Sequence, residues 1–184
     1  MNLLFSLRRT KFSAILLLLS LSIFLASCKP EPSPETLLPQ RIEELSTDSP
    51  LIGKWQDSFY SIYEISQNEF SNYGDGYNSY AGNNLVISKT SENSGYIYIQ
   101  YTKAYCAEHS NLEEYKYTYD NDSPDVGKWY AISYKSLTAS SIKISGAYKK
   151  GGETSTETLE EAMAEFTIEN GYFSTYSDCT KLSN

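Results

Sequence analysis

The chain has 184 residues and carries 15 Lys and Arg against 23 Asp and Glu, a formal net charge of −8. Its first 27 residues contain three basic residues and no acidic one, so the remainder carries 12 basic and 23 acidic side chains, a net charge near −11. A surface of this sign is not attracted to nucleic acid or to anionic lipid headgroups, so no nucleic-acid partner is expected.

Residues 1–27 have the organisation of a signal peptide. Three basic residues precede an apolar run from Phe12 to Leu25 that is interrupted only by small residues. The run is shorter than the roughly 20 apolar residues that a membrane-spanning helix needs, and it has the length of a signal-peptide core. Ala26 and Ser27 are small, as a cleavage site requires.

The residues Leu25-Ala26-Ser27-Cys28 resemble the lipobox of bacterial lipoproteins. The resemblance implies that the Cys28 thiol carries a diacylglycerol, that cleavage exposes its amine, and that this amine receives a further fatty acid such as palmitate. Several acyl chains make a stable membrane anchor. Lys29 stands where enteric bacteria place aspartate in inner-membrane lipoproteins, so the resemblance implies the outer membrane of the cell envelope. The alternatives are an ordinary signal peptide and a transmembrane helix with a chance cysteine.

Residues 28–50 are predicted to be the lipidated cysteine and a tether. Five of the six prolines lie here, and they favour an extended polyproline conformation. At ~3.1 Å per residue, the 22 residues after Cys28 would reach about 70 Å. Leu38, Ile42 and Leu45 have helical spacing, which indicates either a short docking helix or a chance pattern in a disordered arm.

Residues 51–184 are predicted to form one domain of strands, and all 17 tyrosines lie within it. Short runs of Tyr, Ile, Val and Thr alternate with polar turns. The sequence predicts single strands at 59–66, 69–74 and 113–119, and two hairpins, 83–89 with 95–105 and 127–137 with 141–150.

One short helix is predicted from a single apolar stripe, Leu159, Ala162, Met163 and Phe166. Thr158 and Glu161 have the spacing of a capping box at its start. Short sequential strands favour a meander, and closing the meander into a barrel would remove its exposed edges. We therefore predict a mostly β domain, an antiparallel meander closing into a small barrel of about eight strands, with a β-sandwich as the alternative.

Gly53-Lys54-Trp55 resembles the Gly-x-Trp signature of lipocalins, in which the tryptophan closes one end of the barrel. The resemblance implies a lipocalin-like barrel with Trp55 as a candidate ligand-binding residue at its end. The family's arginine, which stacks on this tryptophan from the last strand, is absent, and Lys181 is a poor substitute for it. The family's Thr-Asp-Tyr motif is absent too. A turn glycine and a core tryptophan also explain the motif, which recurs at Gly127-Lys128-Trp129.

After its signal peptide, the chain is also similar over nearly its whole length to a group of small lipoproteins from spirochaetes such as Treponema. The similarity lies in the runs YAGNNLVISKT (80–90), GYIYIQYTKAY (95–105), DVGKWYAISYKSLTASSIKISGAYKK (125–150) and EEAMAEFTIENGYFSTYSDC (160–179). It implies a surface or periplasmic lipoprotein and implies no activity.

Besides Cys28, the chain contains only Cys106 and Cys179. Export through an oxidising compartment favours a disulfide between an even pair of cysteines. The sequence therefore predicts a Cys106–Cys179 bond that pins the C-terminal tail to the barrel, much as lipocalins pin theirs. Two free thiols are the alternative.

No metal or cofactor site is predicted. Cys106 and His109, the only histidine, could form a nucleophile and base or two metal ligands, but zinc sites normally need three or four protein ligands. We expect His109 to be a solvated loop residue. Asp120, Asp122 and Asp125 offer oxygen ligands for calcium, although a polar turn is the simpler interpretation.

No convergent acid and base pair is visible in the sequence, so the protein is not expected to be an enzyme. The leading hypothesis is a non-catalytic binding domain for a protein or a small apolar ligand at the cell envelope. Tyrosines suit both ligand pockets and protein interfaces, and they also form strands well. The alternatives are an envelope hydrolase and a structural surface spacer without a specific ligand.

Overall fold

The structure of the protein is a computed structural model that describes residues 41–74, 77–111, 113 and 117–183, without the side chains of residues 77 and 78. The predicted signal peptide, Cys28 and the proline-rich residues as far as 40 lie outside the described residues. So do residues 114–116 of the strand predicted at 113–119.

The described chain consists mainly of strands, with one short helix. The elements in chain order are β1 (Ile42–Glu44), β2 (Gly53–Asp57), β3 (Ile62–Ile65), β4 (Phe70–Gly74), β5 (Tyr77–Ser91), β6 (Ser94–Tyr105), β7 (Tyr119–Asp120), β8 (Trp129–Lys135), β9 (Ser141–Gly146), α1 (Leu159–Glu165) and β10 (Ser177–Lys181). The two predicted hairpins are confirmed as β5–β6 and β8–β9.

Eight of these strands close into an antiparallel barrel, as predicted. Strands β2, β3, β4, β5, β6, β8, β9 and β10 follow one another around the barrel in chain order, and β10 pairs with β2 to complete the ring. The ring decides against the sandwich. Outside the ring, β1 pairs with residues 86–88 of β5, and β7 pairs with the end of β6. These two short strands continue the sheet where β5 and β6 extend beyond their barrel neighbours.

The two ends of the barrel differ. We call the end that contains Trp55 and Lys181 the tryptophan end, because these paired residues lie where β2 begins and β10 finishes. We call the opposite end the helix end, because Tyr130, at the start of β8, contacts Phe166 just after α1 with ring centroids 5.9 Å apart. The described chain begins at Arg41, beside the Ile42–Ser88 pair near the tryptophan end.

Large side chains fill the interior of the barrel. In β9, Ile142 and Ile144 point inward and are almost completely buried, as the predicted alternation requires. Tyrosine rings fill the half toward the helix end, where Tyr130 lies 4.8 Å from Tyr101 and 5.1 Å from Tyr80 between ring centroids. A Cβ atom added at Gly146 would lie only 2.6 Å from the Tyr130 hydroxyl. An eight-stranded barrel is just wide enough to be filled in this way.

The connection between α1 and β10 covers part of the outer wall of the barrel. Phe173 packs on Tyr96 of β6 with ring centroids 5.5 Å apart, and the Tyr176 hydroxyl lies 2.9 Å from Ser133 Oγ of β8. Strands β6 and β8 are therefore buried on both faces, which explains their nearly continuous apolar sequence.

The capping box predicted for the helix is present. Thr158 Oγ1 accepts a hydrogen bond from the Glu161 backbone N–H, and Glu161 Oε2 accepts one from the Thr158 N–H. Ala162 and Phe166 of the predicted stripe have no exposed surface. In the part of the chain that the structure describes, no helix has both the length and the apolar character that crossing a bilayer requires.

Residues 42–50 belong to the folded barrel, although the prolines in residues 28–50 predict an extended tether there. Strand β1 is paired with β5, and the segment after it carries Leu45 and Leu51 into the core, each only 1% exposed. The helical spacing that includes Ile42 and Leu45 does not produce a helix in the described residues, because Ile42–Glu44 are a strand. The chain is therefore held at the tryptophan end from residue 42 onward.

The predicted disulfide between Cys106 and Cys179 is wrong for this structure. Both cysteines are free and buried, and they are not at disulfide distance. Cys106 follows β6, whereas Cys179 lies in β10, and β8 and β9 separate these strands. Three strand spacings of ~4.8 Å amount to about 14 Å, well beyond the reach of a disulfide. The C-terminal segment is itself the closing strand of the barrel and is not a free tail.

Candidate functional site

Trp55 and Lys181 close the tryptophan end. The Trp55 indole is completely buried, and its Nε1 donates a hydrogen bond of 2.8 Å to the Leu51 carbonyl. Lys181 Nζ lies 4.9 Å from the centroid of the Trp55 ring and donates to the Pro50 carbonyl at 3.0 Å. Lys181 therefore supplies the cation over the tryptophan that the sequence comparison with lipocalins assigned to an arginine. A ligand-binding role for Trp55 stays a prediction.

At the helix end, the structure brings Cys106, His109 and Asp120 together. His109 Nδ1 lies 2.5 Å from Asp120 Oδ2, and the Sγ of Cys106 lies within 4.8 Å of both ligand atoms. Cys106 is buried, Asp120 is partly exposed and His109 is exposed, as predicted for a loop histidine. Three side chains able to bind a metal or move a proton thus face one another at the surface.

Strand pairing and local hydrogen bonds hold this cluster in place. Asp120 belongs to β7, whose pairing with Ala104 brings its carboxylate beside the end of β6. The Cys106 N–H donates to the Thr118 carbonyl at 2.9 Å, and the Thr118 hydroxyl donates to the His109 carbonyl at 2.8 Å. Sequence reasoning missed Asp120 as a partner of His109 because a two-residue strand leaves no periodic pattern.

The charges of His109 and Asp120 stabilise each other. Their hydrogen bond, with a smaller coulombic attraction, raises the pKa of His109 above its ordinary value. The same hydrogen bond lowers the pKa of Asp120. Between these two pKa values the pair is an imidazolium and a carboxylate. Outside this cluster, burial raises the pKa of the Cys179 thiol to about 12.

Two of the three aspartates considered for calcium, Asp120 and Asp125, have separate side-chain partners. Asp120 pairs with His109, whereas the Asp125 carboxylate accepts hydrogen bonds from the hydroxyls of Thr154 and Ser155 at 2.9 and 2.8 Å. The segment between them is a series of turns, as the polar sequence predicted. Asp125 thereby fastens the β9–α1 connection to the helix end.

A cleft of about 540 Å³ lies beside α1, but its polar groups serve the fold. Lys128 pairs with Glu157 at 3.1 Å, and Glu165 accepts a hydrogen bond of 2.5 Å from the Tyr172 hydroxyl. Glu161 belongs to the capping box. These contacts hold the helix on the barrel.

The helix end also presents large aromatic side chains to solvent. Phe59 and Tyr60 lie in the β2–β3 turn and are 80% and 67% exposed, and Tyr148, just after β9, is 73% exposed. Tyr117, between β6 and β7, is 52% exposed. The sequence had placed Phe59 and Tyr60 in a strand, although the preceding Asp57 and Ser58 are typical turn residues.

Asp57 builds the turn that presents Phe59 and Tyr60. Its Oδ1 accepts hydrogen bonds from the backbone N–H groups of Phe59 and Ser61, each at 2.9 Å. Tyr60 has a φ of 63°, in the left-handed region that a bulky residue adopts only at a cost of about 1 kcal/mol or more. A strained backbone therefore carries two adjacent aromatic residues that gain little burial within the domain.

Comparison with other proteins identifies no relative of this chain. The chain matches no protein-family model, no curated protein and no solved structure.

Proposed function

We propose that this protein is a lipid-anchored, non-catalytic binding protein of the bacterial cell envelope that engages a protein partner with the helix end of its barrel. The observation that carries the proposal is the exposure of Phe59, Tyr60 and Tyr148 at the helix end, opposite the end where residue 41 enters the barrel. The anchor is the lipid on Cys28 suggested by Leu25-Ala26-Ser27-Cys28, with the outer membrane as its location.

The point where the described chain enters the barrel supports this orientation. The chain joins the barrel at Arg41, near the tryptophan end, so a lipid on Cys28 would leave the helix end free to face away from the membrane. The 13 residues from Lys29 to Arg41 would reach about 40 Å when extended, at ~3.1 Å per residue. A span of this length would be long enough to hold the barrel clear of the lipid headgroups.

The chemistry of the exposed residues favours a protein partner over a small apolar ligand. Interior positions that would line a ligand cavity hold buried isoleucines and aromatic rings. Tyrosine and phenylalanine side chains on a protein surface supply large contact areas at low conformational cost, and aromatic residues are enriched in interfaces. The Asp57 turn fixes two of them before any partner arrives.

Site-specific photo-cross-linking tests the proposal in cells that make the protein naturally. A photoreactive phenylalanine analogue replaces Phe59 in one strain and Tyr148 in another. The matched control carries the analogue at Glu92, an exposed position in the β5–β6 turn at the tryptophan end. We expect one discrete cross-linked protein from both helix-end positions and none from the control. Absence of a product from both helix-end positions would favour the spacer hypothesis instead.

The anchor is tested separately. The Cys28→Ser change should abolish labelling by a radioactive fatty acid and release the protein from membranes, because serine cannot form the thioether. Labelling that persists in Cys28→Ser would refute the lipidation claim while leaving the binding claim open to the cross-linking result.

A further inference from the structure

We propose that Cys106, His109 and Asp120 form a binding site for a divalent transition metal of the zinc class. The site is independent of the lipid anchor and of the proposed partner. It rests on the convergence of a thiol, an imidazole nitrogen and a carboxylate oxygen within 4.8 Å of one another.

The three ligand atoms lie close enough together to hold a tetrahedral ion after a small adjustment of two side chains. Bond lengths of about 2.0–2.3 Å to nitrogen, oxygen and sulfur correspond to ligand separations of about 3.3–3.6 Å. His109 Nδ1 and Asp120 Oδ2 are 2.5 Å apart. An ion between them requires these atoms to separate by about 1 Å, a movement within reach of two partly exposed side chains.

The chemistry of the ligand set favours zinc over calcium or magnesium. Thiolate and imidazole ligands are soft or borderline and select zinc and its transition-metal neighbours, whereas calcium and magnesium prefer oxygen ligands. Three protein ligands leave one coordination position, as in zinc sites that keep a water molecule. Since His109 is exposed and Cys106 is buried, that position faces solvent.

Binding requires defined protonation states. The Cys106 S–H bond breaks, its proton passes to solvent, and the thiolate sulfur bonds to the metal. The Nδ1–H bond of His109, which faces Asp120, also breaks; its proton passes to solvent, and Nδ1 bonds to the metal while the other ring proton stays on Nε2. Asp122 and Glu108 add negative potential near His109, which favours a cation.

Hydrogen bonds around the ligands hold them ready for the ion. The Asp122 N–H donates to Asp120 Oδ1 at 3.1 Å, which leaves Oδ2 directed toward His109. Ser110 Oγ donates to the Cys106 carbonyl at 2.7 Å and accepts from the Thr118 N–H at 2.9 Å. Such supporting contacts orient metal ligands and tune their affinity.

Metal titration of residues 28–184 tests the site. The protein carries Cys28→Ser to remove the third thiol, and it is untagged so that His109 remains the only imidazole. Zinc sulfate is added in a calorimeter, and cobalt(II) is added in a spectrometer to detect thiolate-to-cobalt charge transfer. We expect one zinc per chain, a cobalt–thiolate band, and a shift of the His109 imidazole nitrogens in NMR spectra.

Variants distinguish this site from the acidic surface. Cys106→Ser, His109→Ala and Asp120→Asn should each weaken zinc binding by about tenfold or more, and Cys106→Ser should abolish the cobalt–thiolate band. Cys179→Ser, a change at the other buried cysteine, should leave both signals unchanged. Circular dichroism checks that each variant is folded.

Three results would overturn the proposal. One is the absence of a one-to-one zinc signal in the parent protein. Another is zinc binding that the three ligand variants retain with unchanged affinity, which would assign it to scattered surface carboxylates. The third is a preference for calcium over zinc. If a variant of one of the three proposed ligands fails to fold, the His109 imidazole shift and the cobalt–thiolate band of the parent protein still show whether these residues bind the metal.

Discussion

Asp57 is the residue on which the proposed binding surface most depends. The residue is 8% exposed, and its carboxylate accepts hydrogen bonds from the N–H groups of Phe59 and Ser61 through one oxygen atom. The Asp57→Ala change removes both hydrogen bonds and leaves two partly buried donors without that acceptor. A hydrogen bond to a charged acceptor contributes about 1.5–3 kcal/mol. Because both donors are only partly buried, we expect a combined loss of about 2–3 kcal/mol.

Asp57→Asn is the matched control. An asparagine Oδ1 occupies the same position as the accepting carboxylate oxygen, so both hydrogen bonds can be retained without the charge. We expect this variant to lose about 1 kcal/mol or less, the difference between a charged and a neutral acceptor.

Urea unfolding followed by tyrosine and tryptophan fluorescence measures the two free energies of unfolding. The reasoning requires Asp57→Ala to be clearly less stable than Asp57→Asn. Equal stability of the two variants would refute it, since the turn would then not depend on the two accepted hydrogen bonds. NMR chemical shifts of Phe59 and Tyr60 should also change more in Asp57→Ala, because the strained turn loses its support.

Three further predictions follow from the two ends of the barrel. Leu45→Ala should lower the free energy of unfolding by about 2–4 kcal/mol in urea, because Leu45 is a fully buried core residue; a loss below about 0.5 kcal/mol would place it outside the core. Lys181→Ala should lower that free energy by about 1–2 kcal/mol through loss of the cation over Trp55 and of the hydrogen bond to Pro50, and Lys181→Arg should restore most of it. In metal-free protein, Asp120→Asn should bring the raised pKa of His109 down toward about 6.5 in an NMR titration, and an unchanged pKa would contradict the pairing.

The His109–Asp120 pair also makes the free energy of unfolding depend on pH. The contribution from the raised pKa of His109 is complete below the unfolded pKa and is lost as pH rises through the folded pKa. The contribution from the lowered pKa of Asp120 is present above its unfolded pKa and is lost as pH falls through the folded value. The pair therefore stabilises the fold mainly at mildly acidic pH, where both groups are charged.

A barrel filled by side chains favours functions that depend on its outer surface. The resemblance to lipocalins implies Trp55 as a candidate ligand-binding residue at one end of the barrel. The structure buries Trp55 and fills the inward positions of the strands with aromatic and aliphatic side chains. A binding surface is therefore expected on the outside of the barrel. The helix end is the place where exposed aromatic residues and the Cys106–His109–Asp120 cluster both occur.

Much of the barrel could be predicted from sequence because its determinants are local. Alternation of Ile142, Lys143 and Ile144 identifies a strand with one inward face, and Thr158 with Glu161 identifies the start of a helix. Tight polar turns between successive strands favour neighbours in chain order, which is the observed order of the barrel.

What only the tertiary structure decided depends on contacts between distant residues. Closure places β10 between β2 and β9, which separates Cys179 from Cys106 and brings Lys181 onto Trp55. A two-residue pairing with β6 brings Asp120 to His109. Local periodicity in the sequence does not predict these long-range contacts, because they depend on which strand edge remains free when the sheet closes. The targeting segment is the opposite case, since charge, length and residue type along residues 1–28 predict its role without any fold.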